Sequence, residues 1–142
     1  MRSPCPLPRL LLLAGATLLA ATGAHAQTCN PMQVHNVRPG GGKLMVAAFT
    51  DAPDYNTRPA TALQLRASTA SMNFMLCGLS GPSVAVMLFQ DTNGNGKLDR
   101  NVLGIPSEPW GASGKPSNFA PPSWDSTQVP LNGSPIVVSL SN

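Results

Sequence analysis

Apolar and polar residues alternate along most of the chain after residue 26, which is typical of strands that bury one face. Seven segments show this pattern, and the predicted strands are 33–37, 43–49, 62–67, 71–77, 84–89, 127–131 and 136–140. A short helix over 60–67 is the alternative for the third segment. The fifth segment, 84–89, is apolar on both faces, so it is expected at the centre of a sheet.

Turn residues separate these segments and suggest how they connect. The glycines of 40–42 lie between the first two strands and predict a hairpin there, and Pro130 indicates an edge position for the sixth strand. Residues 104–125 have no periodicity and are dense in Pro, Gly and Ser, as functional or mobile loops are. The sequence therefore predicts an all-β fold, a single antiparallel seven-stranded β-sandwich.

Residues 1–26 have the three parts of a secretory signal. Basic Arg2 and Arg9 come first, an apolar run over 10–24 follows, and the small-residue site Ala24-His25-Ala26 ends the segment. The apolar run is shorter than the roughly 20 residues that a membrane-spanning helix needs. We expect a signal peptide over 1–26 and one domain over 27–142, periplasmic or secreted, without a transmembrane span after cleavage. A retained signal anchor is the alternative.

Charge and cysteine content narrow the function classes. After residue 26 the chain has seven basic and six acidic residues, and the basic ones form no stripe, which argues against nucleic-acid binding. Two cysteines remain, Cys29 and Cys77, and in an oxidising compartment they predict a disulfide. A free nucleophilic thiol is the weaker alternative, because His35 is the one histidine there that could act as its base, and it is expected at the surface of a strand.

The residues after the fifth strand carry the clearest chemical signal. Side chains with oxygen ligands recur at offsets 1, 3, 5 and 9, and a glycine stands at offset 6, as in the loops that wrap Ca²⁺ in EF-hand-like sites. A hard cation takes about six to eight oxygens, and this spacing can turn them toward one point. The predicted ligands are Asp91, Asn93, Asn95, the carbonyl of Lys97, and Asp99.

The match departs from the EF-hand pattern at offset 12, where Val102 replaces the bidentate glutamate. Another carboxylate must then close the site, and Glu108 and Asp125 are the nearest candidates downstream. With so few carboxylates we expect weak affinity, on the order of 10⁻⁴ to 10⁻³ M. The alternative is a long turn without metal, because Asp, Asn and Gly are also the ordinary residues of turns.

A resemblance to a known family rests on five segments, 77–82, 84–86, 89–99, 103–108 and 121–125. Through them the chain resembles the domain of unknown function 2141 family of secreted bacterial proteins. The resemblance implies a β-sandwich of the transthyretin or carboxypeptidase-regulatory type. It implies no particular activity, because the family is uncharacterised.

Three aromatic residues of the long unpatterned segment are candidates for ligand contact: Trp110, Phe119 and Trp124. They could stack on a sugar or a peptide, or fold back onto the sheets. The expected function is a non-enzymatic module with a structural Ca²⁺ that binds an unidentified protein, carbohydrate or envelope component. The alternative is a metal-assisted hydrolase in which Asp91 and Asp99 hold an ion that activates water.

Overall fold

The computed structural model describes residues 28–117 and 120–141, which form eight strands and one four-residue helix. The predicted signal peptide lies outside the described residues. In chain order the elements are β1 (Thr28–His35), β2 (Lys43–Phe49), β3 (Thr61–Arg66), β4 (Ser71–Leu79), β5 (Ser83–Asp91), β6 (Trp110–Ala112), α1 (Trp124–Thr127), β7 (Gln128–Pro130) and β8 (Ile136–Ser139). The all-β prediction is confirmed, and residues 61–66 form a strand rather than the alternative helix.

The strands form two sheets, one of three strands in the order β4-β1-β8 and one of five. In the larger sheet the order is β3-β2-β5-β6, and β7 pairs with the first residues of β5. The predicted antiparallel arrangement is wrong at one pair, because β1 and β8 run parallel, with Met32 opposite Ile136. The predicted count of seven omitted β6, which has three residues and is too short to show alternation.

The predicted hairpin of the first two strands is wrong. β1 pairs with β4 and β8, whereas β2 pairs with β3 and β5 in the other sheet. Residues 36–42 carry the chain between the sheets, with Gly40 and Gly42 at φ values of 75° and 88°. Both strands bury every second residue, so each covers the same core from its own side.

The hydrophobic core lies between the two sheets and takes its buried residues from both. Met32 and Leu76 contribute from the smaller sheet, and Leu44 and Val86 from the larger one. The predicted disulfide is present between Cys29 and Cys77 and joins the adjacent strands β1 and β4. No helix in the described residues is long and apolar enough to cross a bilayer.

β5 occupies the central position predicted for it. It pairs with β2 along one edge and with β6 and β7 along the other, and it buries residues of both faces. β7, which contains Pro130, pairs only with β5 among the described strands, as its predicted edge position requires. Because β5 ends at Asp91, the central strand of the larger sheet runs directly into the predicted cation loop.

Candidate cation-binding loop

The loop over residues 91–109 connects β5 to β6 at one end of the larger sheet. Its base is closed by the pairing of Phe89 with Trp110 and by a 2.7 Å hydrogen bond from the backbone N–H of Gln90 to the carbonyl of Pro109. Further out, the N–H of Ser107 donates to the carbonyl of Asp99 at 2.9 Å. The two arms of the loop are therefore held together along its length.

Asp91 organises the first half of the loop. Its side chain is buried, with 3% exposed. Oδ1 accepts hydrogen bonds from the N–H groups of Gly94 at 2.8 Å and Asn95 at 3.2 Å, and Oδ2 accepts one from Gly96 at 2.8 Å. Positive φ values at both glycines, 79° and 75°, allow the backbone to curl around this carboxylate.

Glu108 bridges the two ends of the loop and is also buried, with 4% exposed. Its Oε1 accepts from the backbone N–H of Thr92 at 2.8 Å and from the Thr92 hydroxyl at 2.9 Å. Its Oε2 accepts from the N–H of Asp99 at 3.1 Å. The structure therefore brings this predicted closing carboxylate to the loop and anchors it on both arms.

Asp99 lies among the side chains of the two predicted asparagine ligands. The Nδ2 amide of Asn93 donates to Oδ2 at 2.6 Å, and that of Asn95 donates to both carboxylate oxygens at 3.0 Å. The amide oxygens accept from local backbone, Asn93 Oδ1 from Asn95 N and Asn95 Oδ1 from Lys97 N. The side chains of Asn93, Asn95 and Asp99 thus form one hydrogen-bonded cluster, with amide nitrogens facing Asp99.

The two buried carboxylates have no cationic partner among the described residues, where the one ion pair joins Arg58 to Asp54. A buried charge is stabilised only if it is paired or hydrogen-bonded. Asp91 and Glu108 each accept three hydrogen bonds, and a carboxylate has about four acceptor sites, so both keep capacity for a further ligand. Carboxylate and amide oxygens are the ligands that Ca²⁺ prefers, so the chemical type of these side chains suits this ion.

The spacing of the acidic side chains fits less well. No group of three or more His, Cys, Asp or Glu side chains in the described part of the chain lies close enough to hold a metal ion. Asp99 is half-buried and held by two amides, so its carboxylate would have to turn from them toward Asp91 and Glu108. Ion binding therefore requires a local rearrangement of Asp99 and the two asparagines.

The other candidate for closing the loop, Asp125, lies in a different part of the fold. It is exposed in the first turn of α1. Gln128, three residues later, pairs with Ala85, and Asp91 lies six positions beyond Ala85, about 20 Å along β5. The fold therefore favours Glu108 over Asp125.

Gln90 supports the loop from beneath and was missed by the sequence analysis. Its fully buried side chain accepts from the N–H of Arg38 at 2.9 Å and donates to the carbonyls of Arg38 at 2.7 Å and Gly41 at 2.8 Å. This fastens residues 36–42 to the end of β5, beside Asp91. The available signal was a polar residue directly after a strand that is apolar on both faces.

The aromatic candidates lie on different elements. Trp110 is in β6 opposite Phe89, and its backbone pairs with Ser141. Trp124 is in α1 and packs edge-on against Tyr55, with ring centroids 6.1 Å apart. Phe119 lies outside the described residues, and an aromatic ligand surface stays a prediction.

These features define a small all-β protein of two sheets with a long, oxygen-rich loop at the end of its central strand. The chain belongs to the family described as "Uncharacterized protein conserved in bacteria (DUF2141)", whose model matches residues 32–138. Comparison with curated proteins gave no match, and neither did comparison with solved structures.

Proposed function

We propose that the protein is a secreted, non-enzymatic β-sandwich module in which residues 91–108 bind one structural Ca²⁺. The observation that carries this proposal is the pair of buried carboxylates, Asp91 and Glu108, which anchor the same loop without a Lys or Arg partner in the described residues. The module would bind a protein, carbohydrate or envelope component. Its sheets would follow the transthyretin or carboxypeptidase-regulatory pattern.

The chemical reason for Ca²⁺ is the relief of like charge. Three carboxylates belong to one short loop, and a divalent ion would neutralise two of these charges while accepting amide and carbonyl oxygens in a flexible geometry. The proposed ligands are Asp91, Asn93, Asn95, Lys97 through its carbonyl, Asp99 and Glu108. Mg²⁺ demands strict octahedral geometry and suits such an irregular loop less well.

Calcium titration of the disulfide-intact protein tests the proposal. At 10 mM Ca²⁺ and a dissociation constant between 10⁻⁴ and 10⁻³ M, binding should stabilise the fold by about 1.4–2.7 kcal/mol. We expect heat in calorimetry and a higher melting temperature that a chelator reverses. Asp91→Asn should weaken both responses, and Asp125→Asn, which changes an exposed carboxylate away from the loop, should leave them unchanged.

The absence of both calcium heat and a chelator effect would refute this function. The loop would then be closed by its own hydrogen bonds.

A metal-assisted hydrolase remains the rival proposal, and the geometry supports it less. The single histidine of the described residues, His35, ends β1 in the other sheet and contacts Ser71 at 3.0 Å. Both buried carboxylates of the loop already accept backbone hydrogen bonds, which suits a structural role. Asp91→Asn and Asp99→Asn distinguish the two proposals. A lower melting temperature with unchanged turnover in these variants supports the module, whereas an unchanged melting temperature with lost turnover supports the enzyme.

A further inference from the structure

Three large apolar side chains protrude at the far end of the loop. Val102, Leu103 and Ile105 are 102%, 78% and 56% exposed. Single exposed apolar residues are ordinary, but here three lie within four positions of one turn. We call residues 101–105 the apolar tip.

The apolar tip satisfies much of its own backbone. Asn101 N–H donates to the carbonyl of Ile105 at 2.9 Å, and Gly104 N–H donates to the carbonyl of Asn101 at 2.9 Å. The Asn101 side-chain oxygen accepts from Leu103 N at 2.9 Å and from Ile105 N at 3.1 Å. The guanidinium of Arg100 donates to the carbonyl of Gly104 at 2.9 Å. A segment that enters an apolar phase needs such internal partners, because unsatisfied backbone groups are costly there.

Charge around the apolar tip depends on the ion. Lys97 and Arg100 are exposed beside it, whereas the carboxylates of Asp91 and Glu108 are buried. Residues 91–108 carry three acidic and two basic side chains, a formal charge of −1, and one bound Ca²⁺ would change it to +1. The loaded loop would therefore present apolar side chains and exposed cations together.

We propose that the apolar tip inserts into the interface of an anionic lipid bilayer when Ca²⁺ occupies the loop, an inference that rests on the proposed function. Apolar side chains enter the acyl boundary and basic side chains meet anionic headgroups in interfacial proteins generally. A stable protein–protein interface buries about 800 Å² on each partner, more than a convex turn of five residues offers. A bilayer accepts an insertion of only about 5–10 Å.

Flotation with vesicles tests the insertion in the disulfide-intact protein. The vesicles are pure phosphatidylcholine or a mixture with phosphatidylglycerol, in a few millimolar Ca²⁺ or in EDTA. We expect binding to the anionic vesicles in Ca²⁺. Each positive charge near an anionic surface raises the affinity for the vesicles roughly five-fold. EDTA removes the two charges of the ion and should weaken vesicle binding roughly thirty-fold, whereas Lys97→Gln removes one charge and should weaken it roughly five-fold.

The decisive variant is Val102→Ser combined with Leu103→Ser. Because both side chains are exposed, the melting temperature and the calcium heat of the free protein should not change, whereas vesicle binding should fall at least ten-fold. The matched control is Val137→Ser, since Val137 is 53% exposed on β8 in the other sheet, and it should bind vesicles like the wild type.

The two proposals fail in different ways. Calcium heat without binding to either vesicle overturns the insertion alone. Wild-type binding by the double variant also overturns the insertion, and equal binding in Ca²⁺ and EDTA overturns its dependence on the ion. Absence of calcium heat in the free protein overturns the proposed function itself.

Discussion

Replacing Glu108 by glutamine should open the loop, because this carboxylate is its bridge. Glutamine keeps one oxygen for Thr92 but places an amide N–H₂ group opposite the N–H of Asp99, which loses its acceptor. A buried donor without a partner costs about 1–3 kcal/mol, and hydrogen bonds to a neutral acceptor are weaker by about half than those to a charged one. We expect Glu108→Gln to lower the free energy of unfolding by about 2–4 kcal/mol. Local opening of the loop would make this global loss smaller.

Two measurements separate global from local effects. Urea unfolding in EDTA gives the change in midpoint at constant slope, and amide hydrogen exchange at Thr92 and Asp99 reports opening of the loop. The control is Asp125→Asn, an exposed carboxylate whose loss should change stability by less than about 0.5 kcal/mol. If Glu108→Gln matches this control in midpoint and keeps both amides protected, then Glu108 does not hold the loop.

Two further perturbations test the disulfide of the smaller sheet and the segment that crosses between the sheets. The Cys29–Cys77 disulfide spans a sequence separation of 48, so its reduction should lower the free energy of unfolding by about 4 kcal/mol in the loop-entropy account. Urea unfolding with and without reductant measures this loss. A variant with both cysteines changed to alanine is the control and should not respond to the reductant. Gly42→Ala should cost more than about 2 kcal/mol of unfolding free energy because a Cβ there would clash with the carbonyl oxygen of Asp91. Gly40→Ala, also at positive φ but in open space, should cost only about 1 kcal/mol in the same assay. Equal losses would contradict the clash.

Strand positions could be predicted from the sequence because burial of one face leaves an alternating pattern. β5 was recognised as central because it is apolar on both faces, and β2 was predicted with its observed bounds. A period of two records which face is buried, not which strand is the neighbour. For this reason the parallel pairing of β1 with β8 and the separation of β1 from β2 could not be read from it. The glycines that suggested a hairpin serve a crossing between sheets.

The loop was predictable where its chemistry is local. Regular spacing placed Asp91 at the start of a turn whose glycines follow it, and the structure has their N–H groups on that carboxylate. Glu108 and Asp125 could not be told apart, because only the pairing of β6 with β5 decides which one returns to the loop. The support from Gln90 depends on residues 36–42, more than 40 positions away in the chain, and local patterns do not contain such contacts.

The hydrogen bonds of Asp99 bear on how an ion would bind. In the structure, the amides of Asn93 and Asn95 supply the positive charge density around this carboxylate, and an ion would compete with them for the same oxygens. Hydrogen bonds to a charged group are worth about 1.5–3 kcal/mol when buried, and less at this half-buried site, so displacing these amides would weaken binding by roughly ten- to a hundred-fold. Such competition favours millimolar rather than micromolar affinity, because the amides already stabilise the loop without the ion. The proposed ion would then add to the stability of a loop that keeps its fold without it.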